Sequence, residues 1–375
     1  MTPPPGGTKI LCVVGARPNF MKIAPVMEAL KAHPSLRARL VHTGQHYDEQ
    51  MSKAFFEDLG IPTPDINLEV GSASHAAQTA AIMAKFEPVL LSERPDLVLV
   101  VGDVNSTLAC SVTAAKLGVP VAHVEAGLRS FDRTMPEEIN RIVTDSVSEL
   151  LFTTCEEANE HLRREGVAPE RVHFVGNVMI DTLLRHRELA RRSTIRTQMA
   201  LDGGPYALVT LHRPSNVDEA DGLREILEAL TTLGRELPVV FPVHPRTRRR
   251  LEEFGLSGRL AGGQVRLTEP LGYLEFLNLM MGARVVLTDS GGIQEETTVL
   301  GVPCLTLRPN TERRVTITHG TNRLVALKAA AIVDAARQAV APGSGEPRVP
   351  PLWDGKAAQR IATVLSAWAQ ARRRT

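Results

Sequence analysis

The chain carries, between residues 119 and 129, the stretch Val119-Pro120-Val121-Ala122-His123-Val124-Glu125-Ala126-Gly127-Leu128-Arg129. Its apolar first part predicts a buried strand of a parallel sheet. In open α/β sheets, ligands bind beyond the carboxyl ends of such strands, so Glu125 stands where catalytic groups usually stand. A carboxylate directly after a buried strand is costly unless it is paired or used. The stretch therefore predicts an α/β fold and a catalytic role for Glu125.

An acidic pair follows in the stretch Met135-Pro136-Glu137-Glu138-Ile139-Asn140-Arg141. Pro136 suits the first turn of a helix, and Glu137 and Glu138 suit the positive N-terminal end of that helix. Acidic first turns are common, so a purely local role at the helix start is an equal alternative to catalysis for this pair.

The composition limits the kinds of partner. The chain has 375 residues, enough for two ordinary domains, and its 43 Lys and Arg residues nearly balance its 42 Asp and Glu residues. This balance argues against nucleic acid or a membrane surface as the main partner. The apolar runs have the length of strands, and none approaches a membrane span.

The cysteines and the start of the chain indicate a compartment. Cys12, Cys110, Cys155 and Cys304 are scattered without a CxxC pair, as is typical of small core residues in a reduced, cytoplasmic protein. Residues 1–7 have no apolar segment like that of a signal peptide, and we expect them to form a disordered lead-in.

Strand-like apolar runs alternate with helical patterns along nearly the whole chain, which is the signature of doubly wound α/β domains. The predicted strands form two series, Lys9–Val14, Arg39–Thr43, Asp96–Val101, Val119–His123 and Leu150–Thr153, then Tyr206–Leu211, Val239–Val243, Gln264–Leu267, Arg284–Thr288 and Pro303–Leu307. One long polar helix is predicted over Val178–Met199, and a linker over Ala341–Pro351. We therefore expect Rossmann-like domains over 1–177 and 178–353, with a final helix over 354–375 that packs back on the first domain.

The first predicted domain has a strand-to-helix junction suited to phosphate. Gly15 permits a tight turn, and Pro18 begins a helix whose unpaired N–H groups face any ligand. Arg17 and Lys22 add positive charge at the same end. The junction matches no standard phosphate-loop consensus, so an ordinary turn with two solvated cations stays open as the alternative.

The second predicted domain has a similar junction at Ser290-Gly291-Gly292. Ser290 can cap the helix, and the glycines allow a phosphate to approach the backbone closely. Glu296 falls further along the helix, within reach of a ribose if a phosphate sits at the N-terminus. Two glycines after a cap residue can also be merely flexible, so this motif indicates a phosphate site only together with the other motifs.

Further polar residues follow other predicted strands. Asp103 and His212-Arg213 stand at strand ends, and Thr311-Glu312-Arg313 offers cations shortly after another strand. Arginine suits phosphate because its fork binds two oxygens at once. A helix-capping role for Asp103 and a structural role for His212 are the open alternatives.

The acids Asp103, Glu125 and Glu137 occur without a metal-type cluster of His and Cys, which favours proton transfer over metal-assisted hydrolysis. Together with the basic groups they predict a nucleotide-sugar site between two domains. We expect neither a metal nor a cofactor there.

These motifs occur in one ordered series from about Lys9 to beyond Leu324. The series comprises Gly15-Ala16-Arg17-Pro18 with Lys22, Thr43-Gly44-Gln45-His46-Tyr47, Val101-Gly102-Asp103, His123–Arg129, Pro136-Glu137-Glu138, Asn140-Arg141, Leu211-His212-Arg213, Pro242-Val243-His244-Pro245, Leu287–Glu296 and Thr311-Glu312-Arg313. It resembles the non-hydrolysing UDP-N-acetylglucosamine 2-epimerases. The resemblance implies a GT-B-like fold of two Rossmann-like domains around a cleft, and interconversion of UDP-N-acetylglucosamine and UDP-N-acetylmannosamine without a nicotinamide. It also implies a cytoplasmic, commonly dimeric enzyme that feeds surface polysaccharide synthesis.

The resemblance further implies a role for each matching residue. The catalytic residues would be Asp103, Glu125, Glu137 and His212. The substrate would be held by Arg17, Lys22, Arg141, Arg213, Ser290, Gly291, Gly292 and Arg313, with His212 also on the diphosphate. Glu296 would bind the ribose, and Phe276 would lie by the uracil.

One departure from the family pattern concerns regulation. Gln45 and His244 match residues of an allosteric site for a second substrate molecule in bacterial members. Pro214-Ser215 stands where those members carry a further arginine of that site. Since Pro214 has no donor and Ser215 only a hydroxyl, the sequence predicts an enzyme without allosteric activation.

Three classes of function remain open at this point. They are the epimerase, a GT-B glycosyltransferase or hydrolysing epimerase using the same cleft, and a non-catalytic nucleotide-sugar sensor. The three acids argue against the sensor, and the lack of an evident acceptor platform argues mildly against the transferase. The expected partners are a UDP-N-acetylhexosamine and a second copy of the chain, with no nucleic acid and no membrane.

Overall fold

The computed structural model describes residues 7–45, 60, 63–260, 265–341 and 348–373. The chain divides into two compact units, one of Met1–Arg185 with Pro351–Thr375 and the other of His186–Pro350. The start of the predicted lead-in, Gln264 of a predicted strand and most of the predicted linker lie outside the described residues.

The first unit is built on a parallel sheet. Its strands are β1 (Thr8–Val14), β2 (Leu36–His42), β3 (Ile66–Asn67), β4 (Leu97–Val101), β5 (Val121–Ala126), β6 (Leu150–Thr153) and β7 (Val172–Phe174). They lie in the order β3-β2-β1-β4-β5-β6-β7, with parallel pairing throughout. Every residue of β4 is buried, which explains its unbroken apolar run, because helices cover both faces of a parallel sheet.

The helices that begin in this part of the chain are α1 (Arg17–Lys31), α2 (His75–Glu93), α3 (Asn105–Lys116), α4 (Pro136–Val147), α5 (Glu156–Arg164) and α6 (Val178–Arg191). Strands β2 and β3 lie to one side of β1, and β4 to β7 lie to the other side, so the strand order switches between β1 and β4, the position where doubly wound sheets bind ligands. Gly15 follows β1 and Gly102 follows β4, so both loops leave the sheet at this position.

The second unit follows the strand order of β1 to β6 of the first. Its strands are β8 (Ala207–Thr210), β9 (Val239–Pro242), β10 (Val265–Thr268), β11 (Val285–Thr288), β12 (Cys304–Thr306) and β13 (Asn322–Leu324), in the order β10-β9-β8-β11-β12-β13. Its helices are α7 (Ile195–Gln198), α8 (Pro214–Val217), α9 (Ala220–Leu233), α10 (Pro245–Glu253), α11 (Tyr273–Gly282), α12 (Gly291–Leu300), α13 (Val315–Thr318) and α14 (Ala329–Val340). The predicted fold of two Rossmann-like doubly wound domains is confirmed.

The chain ends in α15 (Ala357–Arg372), which contacts α1 within the first unit. Asp181 accepts hydrogen bonds from the backbone N–H groups of Ala357 and Ala358 at 3.1 and 2.7 Å, and so caps α15. Trp368 donates from Nε1 to Glu149 at 2.7 Å. These contacts attach the last helix to the sheet formed by the beginning of the chain.

The prediction of one long helix over Val178–Met199 is wrong. The structure ends α6 at Arg191 and begins α7 at Ile195. Ser193 accepts a hydrogen bond from the backbone N–H of Ile195 at 3.3 Å, and serine side chains compete in this way with helix propagation.

All of the cysteines are buried and carry free thiols. Among the described residues, no helix has both the length and the apolar character needed to cross a membrane.

Candidate active site

Glu125 occupies an irregular position at the end of β5. The register between β5 and β6 shifts between Val124 and Ala126, and Glu125 has a φ of 73°. A bulge of this kind re-aims a side chain, and a positive φ is strained for a residue other than glycine. Glu125 is nevertheless only 3% exposed, so the surrounding structure holds a buried carboxylate in a strained conformation.

Lys22 contacts this carboxylate. Its ammonium forms an ion pair with Glu125 Oε2, and the side chains are 7% and 2% exposed. A Cβ atom added to Gly102 would lie 3.1 Å from Lys22 Nζ and 3.6 Å from Glu125 Oε2. The loop after β4 therefore passes directly over the pair, as only a glycine allows. The sequence predicted Lys22 as a diphosphate ligand, and in the structure its ammonium contacts the carboxylate of Glu125.

Asn19 organises the junction between β1 and α1. Its Oδ1 accepts hydrogen bonds from the backbone N–H groups of Gly15 and Ala16 at 3.3 and 3.0 Å. Its Nδ2 donates to Val101 O at 3.0 Å, which ties the junction to the end of β4. Sequence reasoning missed Asn19, although an amide near a helix start was the available signal. Arg17 begins α1, and its side chain lies outside the described part of the structure.

Asp103 is held by Arg141. The two side chains form an ion pair, with Asp103 24% and Arg141 2% exposed. Arg141 also donates to Glu138 Oε2 from Nε at 3.0 Å and from Nη2 at 2.6 Å. The sequence predicted Arg141 as a substrate ligand, which stays a prediction; in the structure Arg141 is buried and has two carboxylate partners. Arg141 therefore positions Asp103.

Glu137 and Glu138 lie side by side in the first turn of α4 but differ in surroundings. Glu138 is buried and accepts hydrogen bonds from the backbone N–H groups of Ser130 and Phe131 at 3.0 and 2.8 Å. Burial raises the pKa of Glu138, but these hydrogen bonds and Arg141 outweigh it and leave the pKa below its usual range. Glu138 is thus held by its neighbours, whereas the adjacent Glu137 is half-buried, and its catalytic role stays a prediction.

A buried ionic network supports the strand end that carries Glu125. His123 bridges two acceptors, Asp145 Oδ1 at 2.6 Å and Gly102 O at 2.8 Å. Asp145 also contacts Arg129 at 2.7 Å, and Arg129 is paired with Glu165 through two hydrogen bonds. Burial raises the pKa of Asp145, but its contacts with His123 and Arg129 outweigh burial and lower it. The network fixes the loop of Gly102 relative to β5.

Gln45 caps a helix in the structure. Its side-chain oxygen accepts hydrogen bonds from the backbone N–H and the hydroxyl of Ser106 at 3.1 and 2.6 Å, at the N-terminus of α3. The segment after Gln45, with His46 and Tyr47, lies outside the described residues. The regulatory role implied for Gln45 stays a prediction.

In the second unit, Asp289 orients His212. Asp289 is fully buried, and its Oδ1 lies 2.9 Å from His212 Nδ1. It also accepts hydrogen bonds from the backbone N–H groups of His212 and Arg213 at 3.0 and 2.9 Å. Burial raises the pKa of Asp289, but His212 and these N–H groups outweigh burial and lower it. With Nδ1 directed to the carboxylate, Nε2 of His212 is the nitrogen left for a ligand. Sequence reasoning did not assign Asp289 a role.

Arg313 lies against the N-terminus of α12. This helix begins at Gly291, and a Cβ atom there would be 2.9 Å from Arg313 Cζ. Arg313 pairs with Glu295 at 2.9 Å and with Glu312. Ser290 is the N-cap residue, although within the described residues its side chain makes no capping hydrogen bond. The guanidinium of Arg313 and the helix N–H groups thus share the position predicted to bind phosphate.

Glu296 lies one turn further along α12 and is 2% exposed. Tyr273 donates its hydroxyl to Glu296 Oε1 at 2.8 Å. Burial raises the pKa of Glu296 to about 7, although the hydrogen bond from Tyr273 acts in the opposite direction. Phe276 is half-buried on α11, the helix that begins at Tyr273. Tyr273 is a contact that the sequence did not predict.

His244 is the N-cap residue of α10. Its Nδ1 accepts a hydrogen bond from the backbone N–H of Arg246 at 3.2 Å, and its ring centroid lies 5.7 Å from that of His212. Arg246 is engaged by Asp218 at 2.6 Å. Pro214 is exposed at the first position of α8.

The described residues define a class of protein: two doubly wound α/β domains, one with paired acids and cations at its sheet edge and the other with a phosphate-type helix terminus. Comparison with known proteins identifies the family. A family profile described as UDP-N-acetylglucosamine 2-epimerase matches residues 28–366. The chain belongs to the UDP-N-acetylglucosamine 2-epimerase family, as the motif series indicated.

Relatives match over nearly the whole chain. The UDP-N-acetylglucosamine 2-epimerase of Methanocaldococcus jannaschii is 41% identical over 96% of this chain and 99% of its own length. A crystal structure of the enzyme from that organism, in complex with UDP-GlcNAc and UDP, has a TM-score of 0.89 at 41% identity and covers 96% of this chain and 100% of its own. These similarities extend to both described units.

A relative of similar identity acts on a different sugar. The UDP-2,3-diacetamido-2,3-dideoxy-D-glucuronate 2-epimerase of Pseudomonas aeruginosa is 44% identical over 88% of this chain and 91% of its own length. The family therefore includes 2-epimerases of more than one UDP-sugar.

Proposed function

We propose that this chain is an isomerase that interconverts UDP-N-acetylglucosamine and UDP-N-acetylmannosamine by inverting C2 of the sugar. The observation that supports this most is the strained, buried Glu125 at the end of β5, in contact with Lys22 and beside the loop that leads to Asp103. Non-glycine residues at positive φ cluster at active sites, where the surrounding structure stabilises the strain. Family membership supplies the reaction to which these acids belong.

The first step of the proposed reaction is an elimination. A carboxylate among Asp103, Glu125 and Glu137 removes the proton at C2, because that proton does not leave without a positioned base. The electron pair of the C2–H bond forms a C1–C2 double bond. The bond from C1 to the diphosphate oxygen breaks, and its electron pair stays on the leaving UDP.

The second step reverses the first on the other face of the sugar. An acid returns a proton to C2 from the opposite side, and the diphosphate oxygen adds again to C1. No atom is gained or lost, so the two UDP-sugars interconvert without a co-reactant. Two acids acting on opposite faces explain why more than one carboxyl group is needed.

The second unit is assigned to the nucleotide. Arg313 and the N-terminus of α12 suit the diphosphate, and they stabilise the negative charge that grows on UDP as it leaves. His212, oriented by Asp289, donates from Nε2 to a phosphate oxygen. Glu296 accepts hydrogen bonds from the ribose hydroxyls in its ionised form. Arg17, Arg213, Ser290, Gly292 and Phe276 complete the proposed set.

We also infer a cytoplasmic homodimer that supplies precursors for surface polysaccharide. Buried free thiols suit a reducing compartment. The dimer is inferred from the family resemblance, and light scattering in solution tests it.

The proposed activity is tested by incubating the protein with UDP-N-acetylglucosamine and resolving the products by NMR. The expected result is an equilibrium mixture of the two UDP-sugars. Release of UDP and free N-acetylmannosamine as main products would instead make the protein a hydrolysing epimerase. The same assay with UDP-2,3-diacetamido-2,3-dideoxy-D-glucuronate compares the two UDP-sugars as substrates. If that UDP-sugar is converted faster, it would be the assigned substrate in place of UDP-N-acetylglucosamine.

A further inference from the structure

Arg308 is a buried cation that sequence analysis did not single out. It follows β12 and is 3% exposed. Its Nη2 donates to Glu312 Oε2 at 2.9 Å. Among the residues that the structure describes, no acceptor lies within hydrogen-bonding reach of Arg308 Nη1. A buried donor of a charged group without an acceptor is expensive, so such a donor calls for an explanation.

Arg308 shares its carboxylate partner with a second arginine. Glu312 is shared, because its other oxygen pairs with Arg313. Burial lowers the pKa of Arg308, Glu312 raises it, and the positive charges of Arg213 and Arg313 lower it further, with a net lowering. Three guanidinium groups therefore interact here, where Glu312 is shared by Arg308 and Arg313 and Glu295 also pairs with Arg313.

This chain of contacts reaches the N-terminus of α12. Arg308 contacts Glu312, Glu312 contacts Arg313, and Arg313 Cζ lies 2.9 Å from where a Cβ atom of Gly291 would be. The unpaired N–H groups of a helix N-terminus add partial positive charge. An anion with several oxygens would satisfy Arg308 Nη1 and reduce the repulsion among the arginines at once.

We propose that Arg308 is a further binding residue for the diphosphate of the UDP-sugar, donating from Nη1 to a phosphate oxygen. This inference rests on the proposed function. In the elimination, Arg308 stabilises the same oxygens that receive the electron pair of the breaking C1–O bond. An apolar residue would serve as well at this position if Arg308 only filled space.

The test distinguishes binding of the phosphates from binding of the nucleoside. Wild type, Arg308→Met and Arg308→Lys are titrated calorimetrically with UDP and with uridine, which shares the base and ribose but lacks the phosphates. We expect Arg308→Met to lower the affinity for UDP by about 10- to 100-fold, which is the effect of losing one charge-assisted hydrogen bond. The affinity for uridine should stay unchanged. Arg308→Lys keeps the positive charge but not the planar guanidinium, so its loss of UDP affinity should be smaller. Arg323→Met is the matched control, since Arg323 is an exposed arginine on β13.

Thermal stability provides a second readout. Arg308→Met removes a buried unsatisfied donor, and Glu312 still has its ion pair with Arg313 in the variant. The melting temperature of the unliganded protein should therefore not fall. The UDP-induced rise in melting temperature should shrink. An unchanged ratio of UDP to uridine affinity in both Arg308 variants would overturn the inference and leave the proposed function intact. A wild-type protein that binds neither UDP nor UDP-N-acetylglucosamine would overturn both.

Discussion

Lys22 and Glu125 form an ion pair in which both side chains are more than nine-tenths buried. The pair joins the first turns of α1 to the bulge that ends β5. Placing an ammonium on a buried carboxylate compensates its charge, and removing one partner leaves the other buried alone. The pair thus links the stability of the strand end to the position of a proposed catalytic acid.

The first prediction concerns the three acids. Asp103→Asn, Glu125→Gln and Glu137→Gln should each lower kcat by about two to four orders of magnitude, the usual contribution of a general acid or base. UDP affinity should change little in Glu137→Gln, because that residue is assigned to the sugar. Steady-state rates and UDP titrations measure the two effects. Glu156→Gln is the control, since Glu156 is an exposed carboxylate in the first turn of α5.

The acid assignment would be wrong if all three variants kept near-normal rates. It would be incomplete if only one of them lost activity, since inversion needs a proton donor and a proton acceptor on opposite faces.

The second prediction concerns Arg141, which contacts both Asp103 and Glu138. Arg141→Met leaves the buried Glu138 without its cation and should lower the free energy of unfolding by about 3–5 kcal/mol. Adding Glu138→Gln should restore part of this stability, because the uncompensated charge is gone. The turnover of the double variant should stay low, because Asp103 is no longer held. Urea unfolding and kcat measure the two effects separately.

Recovery of both stability and turnover in the Arg141→Met, Glu138→Gln double variant would contradict the positioning role. Arg141 would then act on the fold alone.

The third prediction concerns pH and Glu296. Since burial raises the pKa of Glu296 to about 7, its contribution to folding stability is full below its ordinary pKa of 4.5 and is lost as the pH rises through about 7. Glu296→Gln mimics the protonated form. The unliganded variant should therefore gain stability relative to wild type above about pH 7 and show no gain below about pH 4.5.

Nucleoside binding should show the opposite trend, because the ionised carboxylate is the better acceptor for ribose hydroxyls. Uridine affinity of wild type should rise between about pH 5.5 and pH 8.5, while that of Glu296→Gln stays flat. Uridine is the probe because it lacks titrating phosphates. Parallel curves for wild type and Glu296→Gln would contradict the ribose assignment. Glu252→Gln, at an exposed site, should behave as wild type.

The sequence predicted both doubly wound domains, because buried parallel strands leave unbroken apolar runs such as that of β4. It also singled out Glu125 at the end of β5, Asp103 after β4 and Glu296 on α12. It missed the short strands β3, β7 and β13, whose two or three residues leave too short a pattern. It missed Asn19 and Tyr273 because their roles depend on partners distant in the chain.

The pairing of charges was the least accessible part. Lys22 is predicted to bind phosphate because it follows a phosphate-type turn, and its contact with Glu125, 103 residues away, gave no signal in the sequence. Arg141 and Asp103 are separated by 38 residues. Which cation meets which acid is set by the order of strands in the sheet, and that order becomes certain only in the folded chain.

The fourth prediction concerns regulation. With Pro214-Ser215 at the start of α8, and Arg246 engaged by Asp218, we expect the rate to depend hyperbolically on UDP-N-acetylglucosamine. The reverse reaction should proceed from UDP-N-acetylmannosamine alone. Initial rates in both directions measure this. A sigmoidal curve, or a reverse reaction that starts only with a trace of UDP-N-acetylglucosamine, would show that other residues complete an allosteric site.

The most direct test of the central claim is the reaction in deuterated water, with NMR of the recovered UDP-sugars at C2. Elimination and re-addition require that the proton returned to C2 comes from an acid in exchange with solvent. The account predicts deuterium at C2 of the newly formed UDP-N-acetylmannosamine, with UDP still attached at C1. Formation of UDP-N-acetylmannosamine that carries only protium at C2 would contradict it.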